Sequence, residues 1–166
     1  KIDILVNNAG IIVDAVEDKD WDLMFAINVK AVARVTRAVA LHMKNQRYGK
    51  IINIASFSGR RGDPANTCYA ASKAACISLT QSAALELAPF NINVNGINPG
   101  WFVTDMTRSG FENPETAKGR IAQLPLKRLT DTRDLGLLAT YLASSASDWM
   151  TGQMISLDGG ETATQF

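Results

Sequence analysis

The fold of this chain is most constrained by four short apolar runs that alternate with longer segments of helical periodicity. The runs comprise residues 4–6, 50–56, 92–98 and 153–157. Segments with a helical pattern lie at about residues 20–44, 67–88 and 131–145. Short, almost continuously apolar strands are typical of a sheet buried on both faces. The pattern therefore predicts an α/β fold, with a parallel sheet between two layers of helices.

Composition excludes several functional classes. The 166 residues are 46% hydrophobic and carry a formal net charge of +1, which favours one domain and gives no electrostatic reason to expect a nucleic acid or a membrane surface as partner. No apolar run reaches the roughly 20 residues of a membrane span. Cys68 and Cys76 lie about 12 Å apart along one predicted helix, too far for a disulfide, so a reducing cytoplasmic location is expected. Arg60 and Arg61 are interpreted as solvated loop charges.

The start of the second long helix carries a candidate proton-transfer pair. Tyr69 and Lys73 are four residues apart and therefore share one helical face. Bringing a phenol pKa from about 10 towards neutrality needs about 3–4 kcal/mol of preferential phenolate stabilisation. A partly desolvated ammonium can supply this energy. The same spacing also arises by chance on solvated helices, so the pair alone is weak evidence.

Ser56 and Asn28 are further candidates. Ser56 follows the second strand and either caps the strand end or polarises a substrate oxygen beside Tyr69. Asn28 lies inside the first predicted helix, although Asn is a mediocre helix former. It is either a solvated residue or a local kink, or its amide holds a water or a backbone carbonyl next to Lys73.

Two turns follow strands at the same expected edge, because the carboxyl ends of parallel strands meet there. The segment 7–10 (Asn-Asn-Ala-Gly) and the pair Pro99–Gly100 are either plain turns or places where a flat ligand approaches the backbone. Thr104 is a candidate donor to a ligand amide. Residues 101–129 are too long for an ordinary connection and are predicted to form a lid with short helices over the substrate.

Metal and serine-hydrolase chemistry have no support in the sequence. His42, the only histidine, is expected at the surface near a helix C-terminus. It has no ligand spacing to the cysteines. A Ser-His-Asp hydrolase would need this histidine, and the chain lacks a Gly-x-Ser-x-Gly turn.

Taken together, these motifs resemble the short-chain dehydrogenases/reductases in their single-domain, Rossmann-like form. The resemblance covers nearly the whole chain and implies four catalytic residues: Asn28, Ser56, Tyr69 and Lys73. It implies that NAD or NADP is held by Asn8, Ala9, Gly10, Tyr69, Lys73, Pro99, Gly100, Phe102 and Thr104. The hydride chemistry belongs to that cofactor.

By the same resemblance, Tyr69 is the general acid/base. Lys73 lowers the Tyr69 pKa and holds the nicotinamide ribose, Ser56 orients the substrate oxygen, and Asn28 supports a water-linked proton path towards Lys73. The turn at residues 8–10 lines the adenosine ribose, and the segment after Pro99 lines the nicotinamide.

The implied function is the interconversion of a secondary alcohol and a ketone. A polyol, a sugar acid or a related hydroxy compound is the expected substrate, since the lid carries Arg108, Lys118 and Arg120. The alternatives are a 3-oxoacyl thioester reductase and a non-catalytic Rossmann-fold remnant that acts as an interaction module. A homotetramer packed through small residues of the long helices is also implied.

The chain departs from the family pattern at its start. Residues 1–166 contain neither the first strand with its Gly-rich phosphate loop nor the residue that selects NAD or NADP. We therefore expect the C-terminal portion of one Rossmann-type domain, in which the apolar strand at residues 4–6 is an exposed edge. Alone, it is expected neither to fold well nor to bind dinucleotide tightly.

Overall fold

A computed structural model describes residues 1–164 of the chain. Its strands are β1 (Ile4–Asn7), β2 (Gly49–Ile54), β3 (Ile92–Pro99) and β4 (Met154–Leu157). Its α-helices are α1 (Asp18–Phe25), α2 (Val32–Gln46), α3 (Thr67–Leu87), α4 (Ser109–Glu112), α5 (Pro114–Gln123) and α6 (Thr132–Ala143). A π-helical segment, Ala26–Ala31, joins α1 to α2, and 3₁₀ turns cover Phe57–Arg60, Ala88–Phe90, Ser145–Ser147 and Glu161–Thr164.

The strands form one parallel sheet in the order β1-β2-β3-β4. Adjacent residues of β2 point to opposite faces of this sheet. Ile51 packs with Met43 of α2 and Leu87 of α3, whereas Ile52 packs with Leu142 of α6. Helices therefore cover both faces, and the predicted three-layer α/β architecture is confirmed.

One edge of the sheet is open among residues 1–164. There β1 pairs with β2 alone, and Ile4 and Val6 are 49% and 45% exposed. The expected apolar edge is therefore present. No helix in this part of the chain combines the length and the apolar character needed to cross a membrane.

The first helix differs from the prediction at both ends and in its middle. It begins at Asp18 rather than Asp20, because the Asp20 carboxylate accepts a hydrogen bond from the Glu17 N–H (3.0 Å) and so closes an earlier first turn. It then widens into the π-helical segment and continues to Gln46. Farther along, Asp131 caps α6 by accepting from the Arg133 N–H (2.8 Å).

The lid contains two short helices, α4 and α5, as predicted. Its start is tied to its end by a bridge between Phe102 and Thr130. Asn113 caps α5 by accepting from the N–H groups of Glu115 (2.9 Å) and Thr116 (3.2 Å). Residues 101–129 therefore form a folded segment that follows the carboxyl end of β3.

Candidate active site

The carboxyl ends of β1, β2 and β3 bring the predicted turns to one edge of the sheet. Ser56 lies just beyond β2, where its Oγ accepts a hydrogen bond from the Ser58 N–H (3.1 Å) and caps the 3₁₀ turn Phe57–Arg60. Ser56 is only 5% exposed. Ser56 therefore caps a turn, which is close to the first of its two predicted roles, the capping of the strand end. It also faces the site.

That turn packs directly on the helix that carries the proton-transfer pair. A methyl group built on Gly59 would lie 2.7 Å from the Lys73 carbonyl carbon and 2.8 Å from the Ala74 nitrogen. Only a residue without a side chain permits such an approach. It brings Ser56 close enough to the Tyr69 side chain to lower the Tyr69 pKa.

Asn28 is buried at 1% exposure within the π-helical segment. Its Oδ1 accepts from the Ile11 N–H (2.8 Å), and its Nδ2 donates to the Ile11 carbonyl (2.9 Å) and to Ser72 Oγ (3.0 Å). Ser72 Oγ in turn donates to the Tyr69 carbonyl (2.7 Å). Asn28 therefore ties the turn after β1 to the first turns of α3, in a helix distortion of the kind often found at functional sites.

The turn after β1 comes close to Lys73. A methyl group on Gly10 would lie 3.2 Å from Lys73 Nζ and 3.3 Å from Asn28 Oδ1. Asn8 and Ala9 are exposed and Gly10 is half-buried. A ligand at this edge would therefore meet backbone and small side chains beside a cation.

The electrostatics of Tyr69 differ from the expectation. Burial raises the Tyr69 pKa above its ordinary value, the hydrogen bond with Ser56 opposes this rise, and the Asp63 carboxylate adds to it. Lys73 is not among the causes of this pKa shift. Its Nζ donates to the Ile54 carbonyl (3.1 Å) and lies 5.6 Å from the phenol ring centroid. Burial therefore favours the neutral phenol of Tyr69 over the phenolate.

Lys73 is also perturbed by burial. Lys73 is only 4% exposed. Desolvation therefore lowers its pKa, and the nearby Cys76 opposes that shift. The same burial raises the Cys76 pKa, with the Lys73 charge acting against it. Cys68 and Cys76 are both free thiols, as predicted.

The segment after β3 is placed mainly by backbone contacts. The Gly100 N–H donates to the Leu157 carbonyl (2.9 Å). Phe102 is only 4% exposed, so it can meet a ligand through its backbone more readily than through its ring. The Thr104 hydroxyl lies 3.2 Å from Thr107 Oγ1, and the Thr104 N–H donates to the same atom (3.0 Å).

A buried polar chain below the site was not predicted from the sequence. Asn7 Nδ2 donates to Thr36 Oγ1 (3.0 Å) and to Asn53 Oδ1 (2.8 Å), and Asn53 Nδ2 donates to Thr80 Oγ1 (2.9 Å). It joins β1 and β2 to α2 and α3. The available signal was Asn53, a polar residue inside an apolar strand.

Three other expectations concern Arg61, His42 and metal binding. Arg61 is not a solvated loop charge, because its guanidinium lies 4.4 Å from the Phe57 ring centroid and 2.7 Å from Glu161 Oε1. His42 is exposed, as predicted. Within residues 1–164 no group of His, Cys, Asp and Glu side chains could hold a metal ion.

Comparison with known proteins agrees with this geometry. Residues 1–162 match the family model described as enoyl-(acyl carrier protein) reductase. The 3-oxoacyl-(acyl-carrier-protein) reductase of Thermotoga maritima is 44% identical over 165 residues, which cover 96% of this chain and 66% of that protein. The chain belongs to the short-chain dehydrogenase/reductase family.

Other short-chain dehydrogenases/reductases are similarly close. The 5-keto-D-gluconate 5-reductase of Escherichia coli K12 is 40% identical over 163 residues, covering 96% of this chain and 64% of that protein. A crystal structure of a gluconate 5-dehydrogenase from Burkholderia cenocepacia J2315, in complex with NADP and tartrate, has a TM-score of 0.94 and 38% identity. The match covers 99% of this chain and 66% of that one. The chain thus spans just under two thirds of the length of these relatives.

Proposed function

We propose that the full-length protein is an NAD(P)-dependent oxidoreductase that interconverts a secondary alcohol and a ketone. The observation that carries this proposal is the meeting of three segments at one edge of the sheet. Ser56 lies close enough to the Tyr69 side chain to lower its pKa, and Gly10 approaches Lys73 Nζ. A proton donor, a polarising hydroxyl and a cation therefore lie near one stretch of open backbone. Family membership supports the same chemistry.

The residues present fit a nicotinamide cofactor. Gly10 leaves open a space against Lys73 Nζ that a single methyl group would fill, as the approach of a ribose to the backbone requires. When bound, NAD or NADP supplies the hydride. In this proposal Lys73 donates to the ribose hydroxyls, Asn8 and Ala9 line the adenosine side, and the other predicted contacts line the nicotinamide side. These are Pro99, Gly100, Phe102 and Thr104.

Tyr69 would donate its phenolic proton to the substrate oxygen during ketone reduction and accept it during alcohol oxidation. Its raised pKa keeps the proton available at neutral pH, which suits the reductive direction. Ser56 would donate a hydrogen bond to the same oxygen and so orient the carbonyl. Asn28 would hold α3 in register through Ser72 and support proton supply towards Lys73.

The substrate we favour is a polyol, a sugar acid or a related hydroxy compound. Two observations support this choice: the E. coli relative is a 5-keto-D-gluconate reductase, and the Burkholderia neighbour was solved with tartrate, a hydroxy diacid. Among the lid cations, Arg108 pairs with Asp105 and Lys118 is exposed, so the half-buried Arg120 is the one that supports this choice. A homotetramer packed through the small residues of α3 and a cytoplasmic location belong to the same proposal.

A 3-oxoacyl thioester reductase is the second candidate. The observation that favours it is the 44% identity to the Thermotoga enzyme of that name. The two candidates differ in the size and the charge of the group attached to the ketone. Kinetics with both substrate classes would therefore separate them.

The test is a nicotinamide absorbance assay of the full-length protein with keto sugar acids, uncharged keto sugars and acetoacetyl-CoA. We expect NAD(P)H oxidation that is fastest with a keto sugar acid. Preference for acetoacetyl-CoA would favour the thioester reductase. No turnover with any ketone, despite tight NAD(P)H binding, would contradict the proposal and favour a non-catalytic interaction module.

A further inference from the structure

Arg120 of α5 presents an unpaired guanidinium beside the candidate active site. The side chain is half-buried, with its central carbon 4.4 Å from the Trp101 ring centroid and 5.3 Å from that of Phe111. Both rings stabilise the cation through their π faces. Yet within residues 1–164 the guanidinium forms no ion pair and no hydrogen bond. Its N–H donors are therefore available to a ligand.

A chain of aromatic contacts links this cation to the reacting residues. The Trp101 ring centroid lies 5.6 Å from that of Phe57, at an interplanar angle of 59°. Phe57 directly follows Ser56, and Trp101 directly follows Gly100. The guanidinium thus lies one aromatic ring beyond the segment that carries the substrate-polarising hydroxyl.

Two other arginines in this region, unlike Arg120, have acidic partners that neutralise their charges. Arg61 pairs with Glu161 at 2.7 Å, and Arg108 pairs with Asp105 at 2.9 Å. Arg120 instead has room made for it, because a methyl group on Gly110 would lie 2.6 Å from Arg120 Nη1. The guanidinium therefore lies against two aromatic rings and one glycine, and no acidic group among residues 1–164 forms an ion pair with it.

A guanidinium presents its N–H donors in a planar fork that matches the two oxygens of a carboxylate. Contact with two rings also restricts the rotamers of the side chain before a ligand arrives, so less conformational entropy is lost on binding. An ammonium would lack both features.

We propose that Arg120 binds the carboxylate of a keto or hydroxy acid substrate, at the end remote from the oxygen that Tyr69 protonates. This inference rests on the proposed oxidoreductase function and narrows its substrate class to organic acids. Arg120 is then the residue that distinguishes a sugar acid from the uncharged sugar.

The test compares Arg120→Gln with Lys118→Gln in the full-length enzyme. Lys118 is an exposed cation on the same helix, so both variants lose one positive charge from α5. For 5-keto-D-gluconate and other keto sugar acids, we expect Arg120→Gln to lower kcat/KM by about 10- to 100-fold, the range of a hydrogen bond to a charged group. For uncharged keto sugars, the change should stay below about threefold, and Lys118→Gln should change neither class by more than that.

Gly110→Ala displaces the guanidinium without removing its charge, so it should reduce kcat/KM for keto acids. Arg120→Lys keeps the positive charge but not the planar fork, so its kcat/KM for keto acids should also stay below the wild-type value. Equal losses for charged and uncharged substrates in Arg120→Gln, or equal effects of Lys118→Gln, would overturn the inference. So would a wild-type enzyme that reduces uncharged ketones or acyl thioesters but no keto acid, although the oxidoreductase function would then stand. A wild type inactive with every ketone would overturn both.

Discussion

Replacement of Asn28 by Ala should both destabilise the protein and damage its catalysis. The change removes hydrogen bonds of 2.8 and 2.9 Å to the Ile11 backbone and one of 3.0 Å to Ser72 Oγ. At about 1 kcal/mol for each lost bond, the free energy of unfolding should fall by about 3 kcal/mol. For a protein of this size, such a loss lowers Tm by about 6–12 °C.

Asn95→Ala is the matched control, because Asn95 is equally buried at 1% exposure. Its side chain donates to the Met150 carbonyl (2.8 Å) and accepts from the Gln153 N–H (3.0 Å), away from the candidate site. We expect it to cost about 2 kcal/mol of stability while kcat stays within about threefold of wild type.

Thermal unfolding and steady-state kinetics of the full-length enzyme, measured below both transitions, separate the two effects. Asn28→Ala should lose at least about tenfold in kcat, because α3 is no longer tied to the turn after β1 and a small displacement of reacting groups is costly. Equal kcat values for the two variants would refute the positioning role of Asn28. A change in Tm of less than about 2 °C would refute the energetic reasoning.

Two further predictions concern the neighbours of Tyr69 and Lys73. The Asp63 charge raises the Tyr69 pKa; Asp63→Asn therefore favours the phenolate, lowers that pKa and should shift the alkaline decline of ketone reduction to lower pH in a pH–kcat profile. Gly59→Ala would place a methyl group 2.7 Å from the Lys73 backbone, so we expect a loss of about 1–3 kcal/mol in stability and a fall in kcat as Ser56 moves away from Tyr69.

Each of these variants has a matched control. Asp105→Asn removes an exposed lid carboxylate that is paired with Arg108, and it should leave the pH profile unchanged. Gly62→Ala adds a methyl group in the same loop as Gly59, where nothing lies within 4 Å. An upward pH shift in Asp63→Asn, or equal effects of the two glycine variants, would contradict the site geometry.

The sequence predicted the parts of the fold that depend on local pattern. The run of apolar residues in β2 and the turns that follow the strands require only neighbours along the chain, and they lie where the pattern placed them. The helical pattern at residues 67–88 matches α3, which ends at Leu87 and is followed by a 3₁₀ turn that includes Pro89.

Features created by distant contacts were not predictable in the same way. The π-helical segment around Asn28 accompanies its bonds to Ile11 and Ser72, which are 17 and 44 residues away. The partner of Arg61 lies 100 residues along the chain, so the pairing leaves no local pattern. The direction in which the Tyr69 pKa shifts depends on burial, and burial cannot be inferred from the spacing of residues along one helix.

The central claim is that Tyr69 transfers the proton in an NAD(P)-dependent reaction, and Tyr69→Phe in the full-length protein tests it most directly. A single-turnover measurement follows the nicotinamide absorbance after a keto acid is mixed with enzyme that holds NAD(P)H, while nucleotide fluorescence reports cofactor binding. We predict unchanged nucleotide affinity within about threefold and a loss of at least about 100-fold in the rate of hydride transfer, the lower limit of typical acid–base catalysis. Near-wild-type turnover in Tyr69→Phe would contradict the account.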